Sequence, residues 1–290
     1  CGNIAHEAKA DYLKLPNKDS INAVLREIHA EEKVKCLEDL YKLKAKYGFN
    51  GCVLVAQKGQ ILYKGAHGYA NFKTKQPLKT NTAFQLASAS KPFTAAAILI
   101  LMERGLLNLD DKVTCFIPDF PYPDIDIYML LTHRSGLNNY VYFSVPYCEN
   151  YKSYKGGLYD NNAVLDIMCN AKPAPFCPPD KKFGYCNTNY VILASIVEKV
   201  SGQSFHDFMR ENIFVPLKMN NTWVRTPNSF MHRNNIAVGH TNTRKLDQNT
   251  YADDVVGDKG IYSTVEDLLK WDQALYTDKI LKQETLEKAF

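Results

Sequence analysis

The sequence predicts an α+β fold, an antiparallel sheet flanked by helices and joined to a mostly helical region. Three observations carry this. Two strand-like runs flank a short polar turn early in the chain, a helical stretch that is apolar nearly all round follows, and beyond it the pattern is helical with loops between.

Taken in order, residues 2 to 20 are polar and lack core periodicity, so 1–27 reads as a polar tether and 28–290 as the folded domain. Ile28 to Tyr47 places Val34, Leu37, Leu40, Tyr41 and Leu43 among lysines and glutamates, the pattern of an amphipathic helix that stops at Gly48. Cys52 to Ala56 and Ile61 to Gly65 flank Gln57-Lys58-Gly59-Gln60, which predicts a hairpin and the first piece of a sheet. Ser88 to Arg104 reads as a central buried helix closed by Gly105. Helices are then expected over Asp126 to His133, Asn161 to Cys169, Thr188 to Val200 and Ser204 to Asn212, with Gly202 separating the last two. Thr264-Val265-Glu266-Asp267 resembles a capping box and opens a helix to Leu275, and Gln283 to Phe290 reads as another. There is no internal repeat and no low-complexity linker.

Composition narrows the classes of function. In 290 residues, 46% are hydrophobic and 23% charged, which suits one large or two small globular domains rather than disorder. A net charge of +4 from 35 basic and 31 acidic residues, without a long run of one sign, gives no reason to expect nucleic acid as a partner. The longest apolar run, Phe93 to Met102, is about half what a membrane-spanning helix needs. The sequence starts at Cys1 and continues polar, as a lipid-modified bacterial protein does after signal-peptide removal; a trimmed fragment with cysteine at its first position is the alternative. The first reading places the protein in the periplasm or cell envelope, with lipidated Cys1 as a membrane tether. The eight cysteines lack the paired short spacing of a zinc site, so no metal or other cofactor is implied. Cys148, Cys169 and Cys177 share one loop-rich region and are candidates for a disulfide in an oxidising compartment.

The chemistry centres on Ser88-Ala89-Ser90-Lys91. Serine and lysine three apart lie one turn from each other on one helix face, so the lysine nitrogen reaches the hydroxyl. At a helix start, unpaired N–H groups and the helix dipole also favour developing negative charge. The bare pattern is weak: with eleven serines and many lysines, about one match arises by chance. A second proton-handling group is required, and tyrosine with asparagine at Tyr-x-Asn spacing would serve. Of three matches, Tyr69-Ala70-Asn71 and Tyr159-Asp160-Asn161 read as structural. Tyr185-Cys186-Asn187 follows the constrained loop Pro178-Pro179-Asp180-Lys181-Lys182-Phe183-Gly184 and stands at a helix start.

These residues resemble the β-lactamase-related serine hydrolases, the group of class C β-lactamases, D-alanyl-D-alanine carboxypeptidases and esterases. The resemblance runs from about Phe49 to Leu275 through Gly68-Tyr69-Ala70-Asn71, Phe84 to Lys91, Leu130 to Leu137, Tyr185 to Gly202, Pro216 to Met219 and Gly260 to Thr264. It implies a β-lactamase/transpeptidase-like fold. It also implies Ser88 as the acylated nucleophile, Lys91 as proton acceptor, Tyr185 as acid/base relay and Asn187 as a positioner of lysine and substrate. The function it implies is acyl-enzyme hydrolysis of a small ester, amide or D-amino-acid peptide. A β-lactamase and a catalytically inactive, membrane-tethered penicillin-binding-like module are the alternatives.

Other candidates compete with that set. Ser90 is a second hydroxyl in the motif, but off the lysine's face. His133 invites a Ser-His-Asp triad, though its setting suggests a structural loop. Gly257-Asp258-Lys259-Gly260 lacks the phosphate-loop spacing and reads as a turn beside the site. One departure from the family is large: no Lys-Thr-Gly or His-x-Gly tripeptide follows Tyr185, so the C-terminal strands that carry it are expected to be missing, about a quarter of the family domain. The hairpin would then keep an incomplete sheet, and the 290-residue polypeptide by itself would be weakly active or inactive.

Overall fold

The computed structural model describes residues 18–144, 159–229, 233–247 and 252–289. Cys1 and Cys148 lie outside the described residues, and Cys169 and Cys177, the other two members of the suggested disulfide group, are free thiols.

The expected tether is helical from Lys18. Helix α1 (Lys18–Glu27) buries Val24, which joins Ile28, Ala30 and Leu62 in a small core of its own. His29, at φ 50, then breaks the path, so the helix expected from Ile28 starts as α2 at Ala30 (Ala30–Lys46). Strands β1 (Gly51–Gln57) and β2 (Gln60–His67) pair antiparallel with Gln57 opposite Gln60. Lys58 and Gly59 between them both take positive φ, 50 and 72, the two-residue turn whose twist matches that of the strands it joins.

The remaining strands form two further antiparallel sheets rather than extensions of the hairpin. β3 (Tyr69–Asn71) pairs with β4 (Gln76–Pro77). β5 (Phe84–Gln85) and β6 (Trp223–Val224) flank β7 (Ile261–Ser263), giving the order β5-β7-β6. The last of these sheets bears on function, because β5 leads directly into the Ser88 segment.

Ser88 sits in a 3-10 turn, Ala87–Ser90, and the α-helix proper is α3 (Lys91–Glu103). The apolar surface of α3 has one outcome in water: it goes to the centre. There it packs against α7 (Asn187–Ser201), with α4 (Ile127–Leu131), α5 (Tyr140–Phe143), α6 (Asn161–Ala171) and α8 (Phe205–Met209) around the pair. Phe93, Ile98, Leu101, Ile192 and Leu193 are all within 2% of complete burial. The helix starts follow capping chemistry: Asp126, Asp160, Ser204 and Thr264 each accept a backbone N–H three residues on. Thr264 caps α9 (Val265–Ala274), which packs on β1, and α10 (Gln283–Ala289) follows. No helix among the described residues is long and apolar enough to cross a membrane.

Candidate active site

The backbone of Ile261 on β7 grips the serine turn from both ends. Its C=O accepts the Leu86 N–H at 2.8 Å, and its N–H donates to Ser90 Oγ at 3.2 Å. Between these anchors the chain passes from strand to helix within a few residues, and Ala87 takes the left-handed conformation, φ 47. For a residue with a side chain that costs roughly 1–2 kcal/mol, so it persists only because both ends are tied. The result is an exposed Ser88 one turn before a buried Lys91. Ser90, completely buried and bonded to backbone, has no path to a substrate.

Lys91 is 6% exposed, and its Nζ has three oxygen partners: Ser88 Oγ at 3.1 Å, Asn187 Oδ1 at 2.8 Å and the Asp258 carbonyl at 2.9 Å. The faces of Tyr185 and Tyr190 lie 4.9 and 5.7 Å from it. Such contacts favour a cation and help hold the amine in place. The Tyr185 hydroxyl donates to Ser88 Oγ at 2.8 Å, while half of its side chain faces solvent. Ser88, Lys91, Tyr185 and Asn187, four positions separated by up to about a hundred residues of sequence, therefore meet within one hydrogen-bonded cluster.

The other two Tyr-x-Asn pairs are engaged elsewhere. Asn71 accepts the N–H groups of Lys73 and Thr74 in a turn. Tyr159 bonds Ser144, and Asn161 holds the backbone of Val256.

His133 is not part of a triad. Its Nδ1 accepts the Cys186 N–H at 3.1 Å, and its ring lies 4.6 Å, centroid to centroid, from that of Tyr185. Burial, and then the charge of Lys91, push its pKa down to about 4, so it is a neutral acceptor that props the tyrosine loop. Burial also pushes the Tyr190 phenol up to about 12, which keeps that hydroxyl protonated as a donor to the Leu131 carbonyl at 3.1 Å.

Gly257-Asp258-Lys259-Gly260 forms the turn expected beside the site. Gly257 and Gly260 have φ +102 and +93, and a Cβ on Gly257 would come within 2.4 Å of the Tyr190 carbonyl oxygen. Only glycine allows that close approach to α7. The contribution that sequence reasoning missed is the Asp258 carbonyl as an acceptor for Lys91. Two glycines spaced to turn the chain just before β7 were its only trace in the sequence.

Chemically, the cluster brings a hydroxyl into simultaneous contact with an amine and a phenol, an arrangement able to withdraw and return one proton. Comparison with known proteins gives the chain's relatives. Penicillin-binding protein 4* of Bacillus subtilis is 39% identical over 274 residues, covering 90% of this chain and 60% of that protein. The D-aminopeptidase of Brucella anthropi is 26% identical, covering 78% of this chain and 42% of its own length. The penicillin-binding protein of Bacillus halodurans superposes with a TM-score of 0.73 at 26% identity, over 86% of this chain and 77% of that one. This chain thus spans about three fifths of the curated relative it matches at 39% identity. The Beta-lactamase family model matches residues 32–290, and the chain belongs to that family of β-lactamase-related serine hydrolases.

Proposed function

We propose that Ser88 is the nucleophile of an acyl-transfer reaction that proceeds through a serine ester and ends in hydrolysis. The observation that carries this reading is the pair of contacts on one atom: Ser88 Oγ meets Lys91 Nζ at 3.1 Å and the Tyr185 hydroxyl at 2.8 Å.

A neutral amine has two N–H bonds and one lone pair. Asn187 Oδ1 and the Asp258 carbonyl are both acceptors and take the two hydrogens, which leaves the lone pair directed at Ser88. In the first step the Ser88 proton passes to Lys91 as Oγ bonds to the substrate carbonyl carbon, and the carbonyl π electrons move to its oxygen. When the tetrahedral intermediate collapses, the bond to the leaving oxygen or nitrogen breaks and that atom takes a proton relayed through Tyr185. Water then attacks the serine ester, losing a proton to the same pair of groups, and Oγ is reprotonated as the acid leaves.

The substrate class is a small ester, amide or D-amino-acid peptide. The D-aminopeptidase among the relatives supports the peptide end of that range. β-Lactam hydrolysis is the second reading, favoured by a relative in Escherichia coli named Beta-lactamase, 28% identical over 242 residues. An inactive binding module is disfavoured because Ser88 and Lys91 link all four side chains in one connected cluster. In the protein as made from its natural gene, a fluorophosphonate probe is expected to label Ser88, and Ser88→Ala to abolish labelling and turnover. Unchanged labelling in that variant would move the nucleophile elsewhere. Turnover of a chromogenic cephalosporin separates β-lactamase from peptidase and esterase.

A further inference from the structure

Behind Lys91, away from the solvent side of Ser88, lies a charged pair that the acyl-transfer reading does not use. Asp258 is 3% exposed, and one of its carboxylate oxygens, Oδ1, has no hydrogen-bond partner among the described residues. Lys259 Nζ is 3.9 Å from that oxygen and donates to the carbonyls of Ala252 at 2.6 Å and Val255 at 2.9 Å. The hydroxyl of the fully buried Tyr140 joins the two, accepting from Lys259 at 2.9 Å and donating to Asp258 Oδ2 at 3.2 Å.

The backbone of the same short segment faces the opposite way, onto the nucleophile helix. The Gly257 carbonyl accepts the Thr94 hydroxyl at 2.7 Å, the Asp258 carbonyl accepts Lys91 Nζ at 2.9 Å, and Ile261 clamps Leu86 and Ser90. Tyr140 is also tied to the tyrosine loop, since its N–H donates to Thr188 Oγ1 at 2.7 Å, next to Asn187. One side of the turn thus holds the site, and the other side is anchored by buried charge.

We propose that Asp258 and Lys259 are positioning residues for acyl transfer: their side chains, fixed to Tyr140 in the interior, set the turn whose Asp258 carbonyl holds the amine of Lys91 on Ser88. This rests on the acyl-transfer reading of Ser88. A turn that needed only its shape would be served by two neutral residues, since taking a carboxylate and an ammonium out of water costs more than their attraction returns unless the remaining valences are satisfied. Here they are incompletely satisfied, yet Asp258 itself carries the carbonyl that orients Lys91. Burial pushes Asp258 up and Lys259 down, and each also feels the charge of Lys91.

The pair therefore acts on Lys91 through position and through charge. The other titratable groups facing Lys91 are His133 after α4, and Tyr185, Cys186 and Tyr190 at the start of α7. Asp253 and Arg225 act in turn on Lys259; within this set Asp258 supplies the carboxylate and Lys259 the ammonium.

The test follows the rate of Ser88 labelling by a fluorophosphonate against pH, in the protein as made from its natural gene. Removing the carboxylate with Asp258→Asn is expected to move the acid limb to lower pH, and removing the ammonium with Lys259→Met to higher pH, each by about half a unit or more. Lys259→Arg is expected to restore the parent profile, and Asp258→Asn combined with Lys259→Met to fall between the singles. A second readout does not depend on acylation: the 15Nζ–H signal of Lys91, sharpened by the fixed acceptors Asn187 Oδ1 and the Asp258 carbonyl, is expected to broaden in the charge-deleting variants. Tyr140→Phe, which removes a single hydroxyl, is the gentler probe of that signal if either single charge deletion fails to fold. Limbs and Lys91 signal that stay in place while only the melting temperature falls would overturn the proposal and leave the pair a structural anchor. If the parent protein is not labelled at any pH, the acyl-transfer reading fails, and the Lys91 signal alone decides this one.

Discussion

The layer made by α3 and α7 and the N-terminal hairpin are built to different standards. Along α3, Phe93, Thr94 and Ala96 through Leu101 are buried, and the middle of α7 is buried on all sides. The hairpin, by contrast, is only half-covered along all of β1 and rests on its own small core of Val24, Ile28, Ala30 and Leu62. Its link to the body includes the ion pair Lys64–Glu266, both partners over a third exposed, which contributes less than about 1 kcal/mol. Lys91 of α3 and Asn187 of α7 belong to the first region, Ser88 and Tyr185 lie just before its two helices, and none of the hydrogen bonds described for the candidate site comes from the hairpin. An amine that must stay within hydrogen-bonding range of a serine needs a close-packed wall behind it, and a half-exposed ribbon does not provide one.

The largest effect expected within that comparison belongs to the solvent face of the site. Tyr185→Phe keeps the ring against His133 and Lys91 but deletes the hydroxyl, so labelling of Ser88 should slow by about 10²-fold or more while thermal stability barely changes. A labelling rate equal to the parent's would remove Tyr185 from the proton path.

Truncating each core in turn sharpens the contrast. Ile98→Ala opens a cavity in the completely buried helix and should cost about 2–5 kcal/mol in chemical denaturation, with slower labelling as α3 loosens. Leu62→Ala, in the small core, should raise amide exchange in the hairpin and α1 while the labelling rate is retained. Equal loss of labelling in both variants would show the two regions to be one cooperative unit.

The smallest effect is set by pH. The folded pKa of His133 lies near 4, below its ordinary value of about 6.5, so the unfolded chain binds the proton first. This contribution to stability is present in full above about pH 6.5 and is lost as pH falls through about 4, by a few kcal/mol at most. His133→Asn, which retains an acceptor for the Cys186 N–H, is expected to flatten that part of the stability profile between pH 7 and 4. A profile as steep as the parent's would assign the acid sensitivity to another group.

Much of the arrangement is legible in local patterns. Alternation around Lys58-Gly59, the capping residues Asp126, Asp160, Ser204 and Thr264, and the all-apolar run after Lys91 each state a conformation that neighbouring residues enforce. Where long-range packing decides, the pattern fails. The stretch from Lys18 to Glu27, expected as a polar tether, is a helix with Ile21, Val24, Leu25 and Ile28 at helical spacing, and only packing shows that Val24 meets Leu62. The serine turn is 3-10 and not α-helical, because Ile261, far along the chain, pins both of its ends.

By itself the sequence determined the α+β class, the apolar helix behind a Ser-x-x-Lys motif and a short roster of partners for it, since these depend on residue type and spacing within a few turns of chain. The sequence also favoured Tyr185 and Asn187 over two other Tyr-x-Asn pairs and set Ser90 and His133 aside, but only the tertiary structure fixed the contacts, with Ser90 bonded to Ile261, His133 a neutral acceptor for the Cys186 N–H and the Asp258 carbonyl brought to Lys91. The physical reason is that a hydrogen bond depends on distance and direction to a few tenths of an ångström. For groups up to about 170 residues apart, such as Lys91 and Asp258, those quantities are fixed only by how the buried layers pack.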